Sequence, residues 1–434
     1  MKSTAVAGGV LVATTAGVAW LLAGAWGVGY LVLYACATLP GWPLGWALFG
    51  RRHAAGWIAG GVLGYALTAL ALGMAVRLGQ HSGLALLSAW ALTTAVTWSV
   101  TARRKAPLVK ASAWAPRDTA ALLLALLLVP ALIGPPFSHV GAQDRQGNRY
   151  YRAYFTADFL WHVALTTELS RFTLPPSNPY LADQTLHYYW TYFMVPAAVA
   201  GTLDRADVGV ERALKLNALC AGLFFFGSVF LTVWLVVPHA RAVSLAVALA
   251  VLASSAEGLY AVWELAKRGR TFRQILDGLR YMNVDAVTNW IWGGLRVDGL
   301  QRSLWYVPQH AAACALGLVG LMVATAGGVS APVGAAFLAG LAFALSVTFS
   351  PLIGGAFALV YGLSIVVALL CQRPLTLRPL LRHAVAAAPI MAGLAWCAGN
   401  QMFEGAGSAL AFGLAGPASR APVRTLLLGL GPLI

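Results

Sequence analysis

The chain has 434 residues, of which 59% are hydrophobic and only 10% charged, with a formal net charge of +15. Soluble domains carry about 25% charged residues, so this composition excludes a chain that surrounds itself with water. The positive charge falls in short loops between apolar runs, as the positive-inside rule and anionic headgroups require, which argues against nucleic acid as the partner.

From the N-terminus, apolar runs occupy residues 5–24, 27–48, 55–76, 84–101 and 119–137, each near the ~20 residues that cross ~30 Å of hydrocarbon. The first is read as an uncleaved helix rather than a signal peptide, because further spans follow it directly. Lys2, Arg51-Arg52 and Arg103-Arg104-Lys105 are separated by even numbers of spans, so all three can face the cytoplasm together. The fifth span then delivers residues 138–186 to the outer face. Runs at 187–203, 214–237, 242–263, 306–326, 331–348, 352–371 and 384–400 follow, and a last one from Thr425 to Ile434 is too short to span. The expectation is an all-α, polytopic protein of about 12–13 spans. Residues 1–118 form a four-span region, 119–203 a span, large loop and span, and 204–434 a bundle containing a polar segment, 264–305.

Counting forward puts the basic 264–303 loop in the cytoplasm. Counting backward from the basic 373–382 loop puts the start of the 306–326 run outside. Both hold if the chain crosses or re-enters once, and the apolar stretch Val287 to Gly294 is the candidate.

The outer loop concentrates the chemistry, with Asp144, Asp158, Glu168 and Asp183 among only 14 acidic residues. Gly141 to Arg152 reads as a polar loop carrying Arg149 and Arg152. Thr156 can cap a helix running to about Phe172, whose face holds Asp158, Trp161, His162, Leu165 and Leu169, with Glu168 at its edge. Such a mixed face suits a helix lying in the membrane interface. Pro175-Pro176 stops it, and the aromatic stretch His187, Tyr188, Tyr189, Trp190 opens the next span. An interfacial aromatic belt would also explain those rings. A second cluster, Arg302 to His310, places Gln309 and His310 at the start of a span, where desolvation demands partners. A third, Thr348-Phe-Ser-Pro351, reads as a helix break. Asn217 and Glu257 lie within apolar runs, with packing hydrogen bonds as their default role. Five cysteines without CxxC spacing read as small packing residues.

The segments Asp158-Phe-Leu-Trp-His162, Pro175-Pro-Ser-Asn-Pro-Tyr180 and His187-Tyr-Tyr-Trp190 resemble, in that order, the prokaryotic YYY membrane proteins. Here His187 replaces an asparagine of that pattern and Trp190 its third tyrosine. Those proteins are in turn similar to the GT-C glycosyltransferases. The resemblance implies a GT-C-like fold in the bacterial cytoplasmic membrane, with the main loop periplasmic. It implies a polyprenyl-phosphate sugar as donor and a glycan, lipid or protein as acceptor. Asp158 is then the expected general base, with His162 or Glu168 orienting it. Arg149, Arg152, Arg302 and His310 are expected to neutralise phosphate, and Tyr188, Tyr189 and Trp190 to stack on the sugar. Asp144, Asp183, His187 and Gln309 complete the expected binding set. Carboxylates with histidine would suit a divalent metal, but no spacing specifies one. The alternatives are a transporter or lipid flippase, and a non-catalytic membrane scaffold.

Overall fold

The computed structural model describes residues 2–104, 106–151, 153–203, 209–252, 256–281, 300–328, 330–371, 378–403 and 420–430. Helices dominate because hydrocarbon offers no hydrogen-bonding partner to an open backbone. In chain order they are α1 (Lys2–Ala23), α2 (Ala25–Thr38), α3 (Trp42–Phe49), α4 (Ala54–Arg77), α5 (Gly83–Thr101), α6 (Pro116–Leu126), α7 (Leu128–His139), α8 (Ala153–Leu169), α9 (Met194–Leu203) and α10 (Val210–Val236). Then come α11 (Ala240–Leu252), α12 (Glu257–Lys267), α13 (Phe272–Tyr281), α14 (Pro308–Gly327), α15 (Val333–Phe349), α16 (Pro351–Leu370), α17 (Arg378–Ala384), α18 (Ala387–Gly399) and α19 (Pro422–Leu430). Among the described residues nine helices are long and apolar enough to cross a membrane, counting α2–α3 and α6–α7 each as one broken span.

The expected run 242–263 departs most from this plan. It is divided into α11 and a separate α12 that begins at the fully buried Glu257. The runs at 187–203, 242–263 and 331–348 yield only shorter apolar helices, Thr191–Leu203, Ala240–Val251 and Val333–Phe349. The apolar candidate Val287 to Gly294 lies outside the described residues. The all-helical expectation also omits two small antiparallel ribbons in the 138–186 loop. Ala142–Gln143 (β1) pairs with Arg149–Tyr150 (β2), and Ser177–Asn178 (β3) with Leu181–Thr185 (β4).

One hydrophobic core runs from Ala19 to Met402 through all three expected regions. Its axis is α4: 72% of that helix's most apolar stretch is buried, against 6% for α5. At one end of α4, Gly56, Gly60 and Gly64 face Gly41 and Gly45, and a Cβ on Gly60 or Gly64 would meet backbone atoms of Trp42, Gly41 or Thr38. Two backbones can approach that closely only where small residues line both surfaces. Farther along, the Tyr30 hydroxyl donates to Asn217 Oδ1 (3.1 Å), Asn217 Nδ2 donates to the Tyr65 hydroxyl (2.8 Å), and Tyr65 donates to the Tyr192 carbonyl (2.8 Å). Asn217 is thus a packing hydrogen-bond partner, joining α2, α4 and α10 to the segment before α9. At the far end of α4, Arg77 donates to the Leu174 and Gly399 carbonyls.

The break between α2 and α3 has a specific repair. Pro40 and Pro43 lack the N–H groups that would reach back to the carbonyls of Cys36 and Leu39. Two indoles of α5 supply donors instead, Trp90 Nε1 to Cys36 O (3.1 Å) and Trp98 Nε1 to Leu39 O (3.2 Å). Two outcomes follow. Gly60→Leu lowers the thermal unfolding midpoint in detergent, costing about 1–3 kcal/mol or more because backbone cannot yield, whereas Gly17→Leu, with open space around it, is neutral. The double variant Trp90→Phe/Trp98→Phe keeps the aromatic bulk but loses about 0.6–1.7 kcal/mol per lost bond in the same assay.

Candidate functional site

The site is built on α8, the aromatic stretch before α9, and the first turns of α14 and α16. On α8 the buried stripe is Phe159, His162, Leu165, Thr166 and Leu169, at helical i, i+3, i+4 spacing. Asp158 and Trp161, both half-buried, stand at its edge. The stripe is therefore rotated slightly from the expected face, so that Asp158 borders the core without entering it. Trp161 stacks on Tyr180 (5.3 Å) and meets Tyr188 edge-on (5.8 Å), and Tyr188 stacks on Tyr189 (4.2 Å). The result is a wall of four rings, apolar on their faces and polar at the phenol tips.

The phenols are fixed from α14. Gln309 Nε2 donates to the Tyr188 hydroxyl (3.1 Å) and to His162 Nε2 (3.2 Å), which puts the imidazole proton on Nδ1. The Tyr189 hydroxyl lies 3.1 Å from His310 Nε2, and His310 Nδ1 lies 3.0 Å from Ser350 Oγ. Ser350 is the residue just before α16, and it is wholly buried. Three polar segments far apart in sequence thus converge at the same end of the bundle. This convergence puts the start of the 306–326 run beside α8.

Burial pushes the His162 imidazole down to about 3, helped by the neighbouring His310. It pushes the Tyr188 phenol well up, as does the adjacent Tyr189, and the Asp158 carboxylate raises both phenols. His162 Nδ1 and Gln309 Oε1 are buried without a hydrogen-bond partner among the described residues. Buried polar atoms are rarely left so, because each costs about 1–3 kcal/mol.

The other expected residues are placed elsewhere. Asp144 is used up in its own turn, accepting from Gln146 N, Asn148 N, Asn148 Nδ2 and the Tyr150 hydroxyl, and the Asn148 and Tyr150 contacts hold it down to about 2. Arg149 pairs with Glu211 (3.2 Å), which also accepts from Tyr151 (2.7 Å) and Lys215 (2.7 Å). That hub ties the β1–β2 ribbon to α10. Glu168 pairs with Arg171, three residues on (2.9 Å), at the C-terminal end of α8. Asp183 is exposed on β4, and His187 Nδ1 lies 2.8 Å from the Gln401 carbonyl. Trp190 is fully buried against Trp396, packed into the core rather than onto the ring wall. Arg302 is buried with its guanidinium 5.3 Å over the Tyr306 ring, one turn before α14. Arg152 lies outside the described residues.

Sequence reasoning missed Ser350 as a site residue and the Glu211–Lys215 hub. The first had a readable signal, a buried-span serine four residues after Ser346 and just before a proline. The second had an i, i+4 acid–base pair at a helix start. Among the described residues no group of three or more His, Cys, Asp or Glu side chains converges.

Fold and site together define a polytopic helical membrane protein with a polar, aromatic cluster at one end of its bundle. No family model, curated protein or solved structure matches the chain.

The buried His162 gives a pH signature. Its folded-state proton affinity lies below the ordinary value of 6.5, so the unfolded chain binds a proton that the folded one refuses. The stability it confers is intact above about pH 6.5 and is lost as pH falls toward 3, at a slope approaching about 1.4 kcal/mol per pH unit. Thermal midpoints between pH 7 and 4.5 should fall more steeply for the natural protein than for His162→Gln. Parallel curves would mean that the imidazole is not buried as described.

Proposed function

We propose that the protein is a membrane glycosyltransferase that moves a sugar from a polyprenyl-phosphate donor to an acceptor hydroxyl at the outer face of a bacterial cytoplasmic membrane. The observation that carries this reading is the stacked pair Tyr188 and Tyr189 on a ring wall at the end of an apolar bundle, with the half-buried Asp158 near enough for its charge to act on both phenols. A lipid-linked sugar needs those two surroundings side by side. Its chain requires an apolar channel, and its ring requires flat apolar faces edged with hydrogen-bonding groups. An apolar groove of about 360 Å³, lined by Leu33, Leu72, Leu86, Trp90 and Val199, opens beside α9, which directly follows the aromatic stretch. The resemblance to GT-C enzymes points to the same chemistry.

In this mechanism the acceptor oxygen attacks the anomeric carbon from the face opposite the phosphate. Asp158 takes the hydroxyl proton as the new carbon–oxygen bond forms. The carbon–oxygen bond to the phosphate breaks, and the departing phosphate keeps the electron pair, so the anomeric centre is inverted. His162 is neutral at working pH and, with Gln309, holds Tyr188 in place. The unmatched His162 Nδ1–H and Gln309 Oε1 provide one donor and one acceptor for sugar hydroxyls. Arg302 and His310 are assigned to the departing phosphate, through charge-assisted and neutral hydrogen bonds respectively. Arg149, bound to Glu211, leaves that role and shapes the ribbon instead.

The test is purified protein in liposomes given polyprenyl-phosphate sugars, with release of the lipid phosphate measured. The natural protein turns over the donor, and Asp158→Asn lowers the rate about 10²–10⁴-fold with insertion unchanged. Near-normal transfer by that variant removes Asp158 from the base role. Movement of the sugar across the bilayer without bond cleavage replaces the enzyme with a transporter.

A further inference from the structure

A second recess lies at the opposite end from the ring wall. It has a volume of about 850 Å³ and sits where α3 ends, α4 begins and α5 ends, with Arg51, Arg52, His53, Arg104, Trp46 and Trp98 in its wall. The full 24 residues of α4, about 36 Å at 1.5 Å per residue, separate this end from Arg77 and the aromatic site. The recess is therefore no part of the proposed transfer chemistry.

Its wall is chemically one-sided. No carboxylate lines it. The Arg51 guanidinium lies 4.6 Å over the Trp46 ring, held there while its own carbonyl accepts from Trp57 Nε1 (2.9 Å). Trp46 Nε1 is buried without a hydrogen-bond partner among the described residues. His53 is 93% buried: its Nδ1 accepts from Ala55 N (3.0 Å) to cap α4, so the proton sits on Nε2. Burial pushes the His53 imidazole down to about 4, partly offset by the Ser112 backbone beside the ring, and among the described residues no acceptor meets hydrogen-bond geometry at Nε2. The nearest acid, Asp118, is spent capping α6 through Ala115 N (2.9 Å). Three guanidiniums therefore line one space bounded by indoles, with the His53 ring in its wall. The positive-inside rule explains arginines in a solvated loop, but it does not explain three arginines and two indoles gathered around one recess of this volume.

We infer that this recess is a second binding site, for a phosphate ester, with the phosphate on Arg51, Arg52 and Arg104 and its apolar portion against Trp46 and Trp98. Planar guanidiniums bind phosphate in pairs of parallel hydrogen bonds, and an indole wall accepts an acyl or ring group. The same chemistry is offered by a membrane phospholipid headgroup and by a soluble phosphate.

The experiment uses the full-length protein in neutral detergent, with binding read by tryptophan fluorescence and stoichiometry by native mass spectrometry. The probes are dioctanoyl phosphatidic acid, dioctanoyl phosphatidylcholine and inorganic phosphate. One phosphatidic acid should bind saturably, and Arg52→Gln/Arg104→Gln should weaken it about ten-fold or more. The pair Arg268→Gln/Arg270→Gln, which removes equal charge from another loop, should leave it unchanged. Competition by inorganic phosphate identifies the phosphate group alone as the ligand, and its failure to compete identifies the lipid. Absence of saturable phosphatidic acid binding overturns the inference, as does equal binding of phosphatidylcholine or equal weakening by the two double variants. Lipid-phosphate release, measured in parallel, reports on the transfer reading separately.

Discussion

The Tyr30–Asn217–Tyr65 chain, ending on the Tyr192 carbonyl, sets the register on which the rest depends. Apolar helices in lipid can slide past one another at little cost, because tails and side chains are equally apolar. A buried amide cannot, since any slip leaves it unpaired where water cannot replace the partner. Asn217 is wholly buried, and its two polar ends are both engaged. Tyr192 stands three residues after Tyr189, so fixing its carbonyl also fixes where the ring wall leaves the bundle.

Around that point the chain separates packing from chemistry. Glycines seat α3 on α4 at one end, and a hydrogen-bonded chain locks the middle. At the other end Arg77 ties α4 to two carbonyls. The ring wall is mounted on this rigid frame by α8, α14 and the serine before α16. The β1–β2 ribbon is pinned through Glu211. Polar side chains are expensive within hydrocarbon, so they gather at the helix ends, where function can use them.

Much of this was legible from composition and run length. Most span positions, the helix around Asp158, and the need of Gln309 and His310 for buried partners follow from apolar runs and the cost of burying polar groups. What could not be read depends on which faces meet. Trp190 looked equivalent to Tyr188 and Tyr189, yet one more residue along the chain turned it toward Trp396. Asp144 and Arg149 looked like binding residues because an exposed turn and a ligand site use the same side chains. Ser350 needed the neighbouring helix before its hydroxyl had a partner. Glu257 breaks a run that hydropathy alone joins.

The donors that α5 lends to the proline break have a topological corollary. That helix is mostly wrapped in lipid, yet its Leu86 and Trp90 flank the 360 Å³ groove while Trp98 flanks the 850 Å³ recess. The two hollows share one partition, tied to the proline break by a pair of indole bonds. Displacing that one helix would therefore open both hollows together.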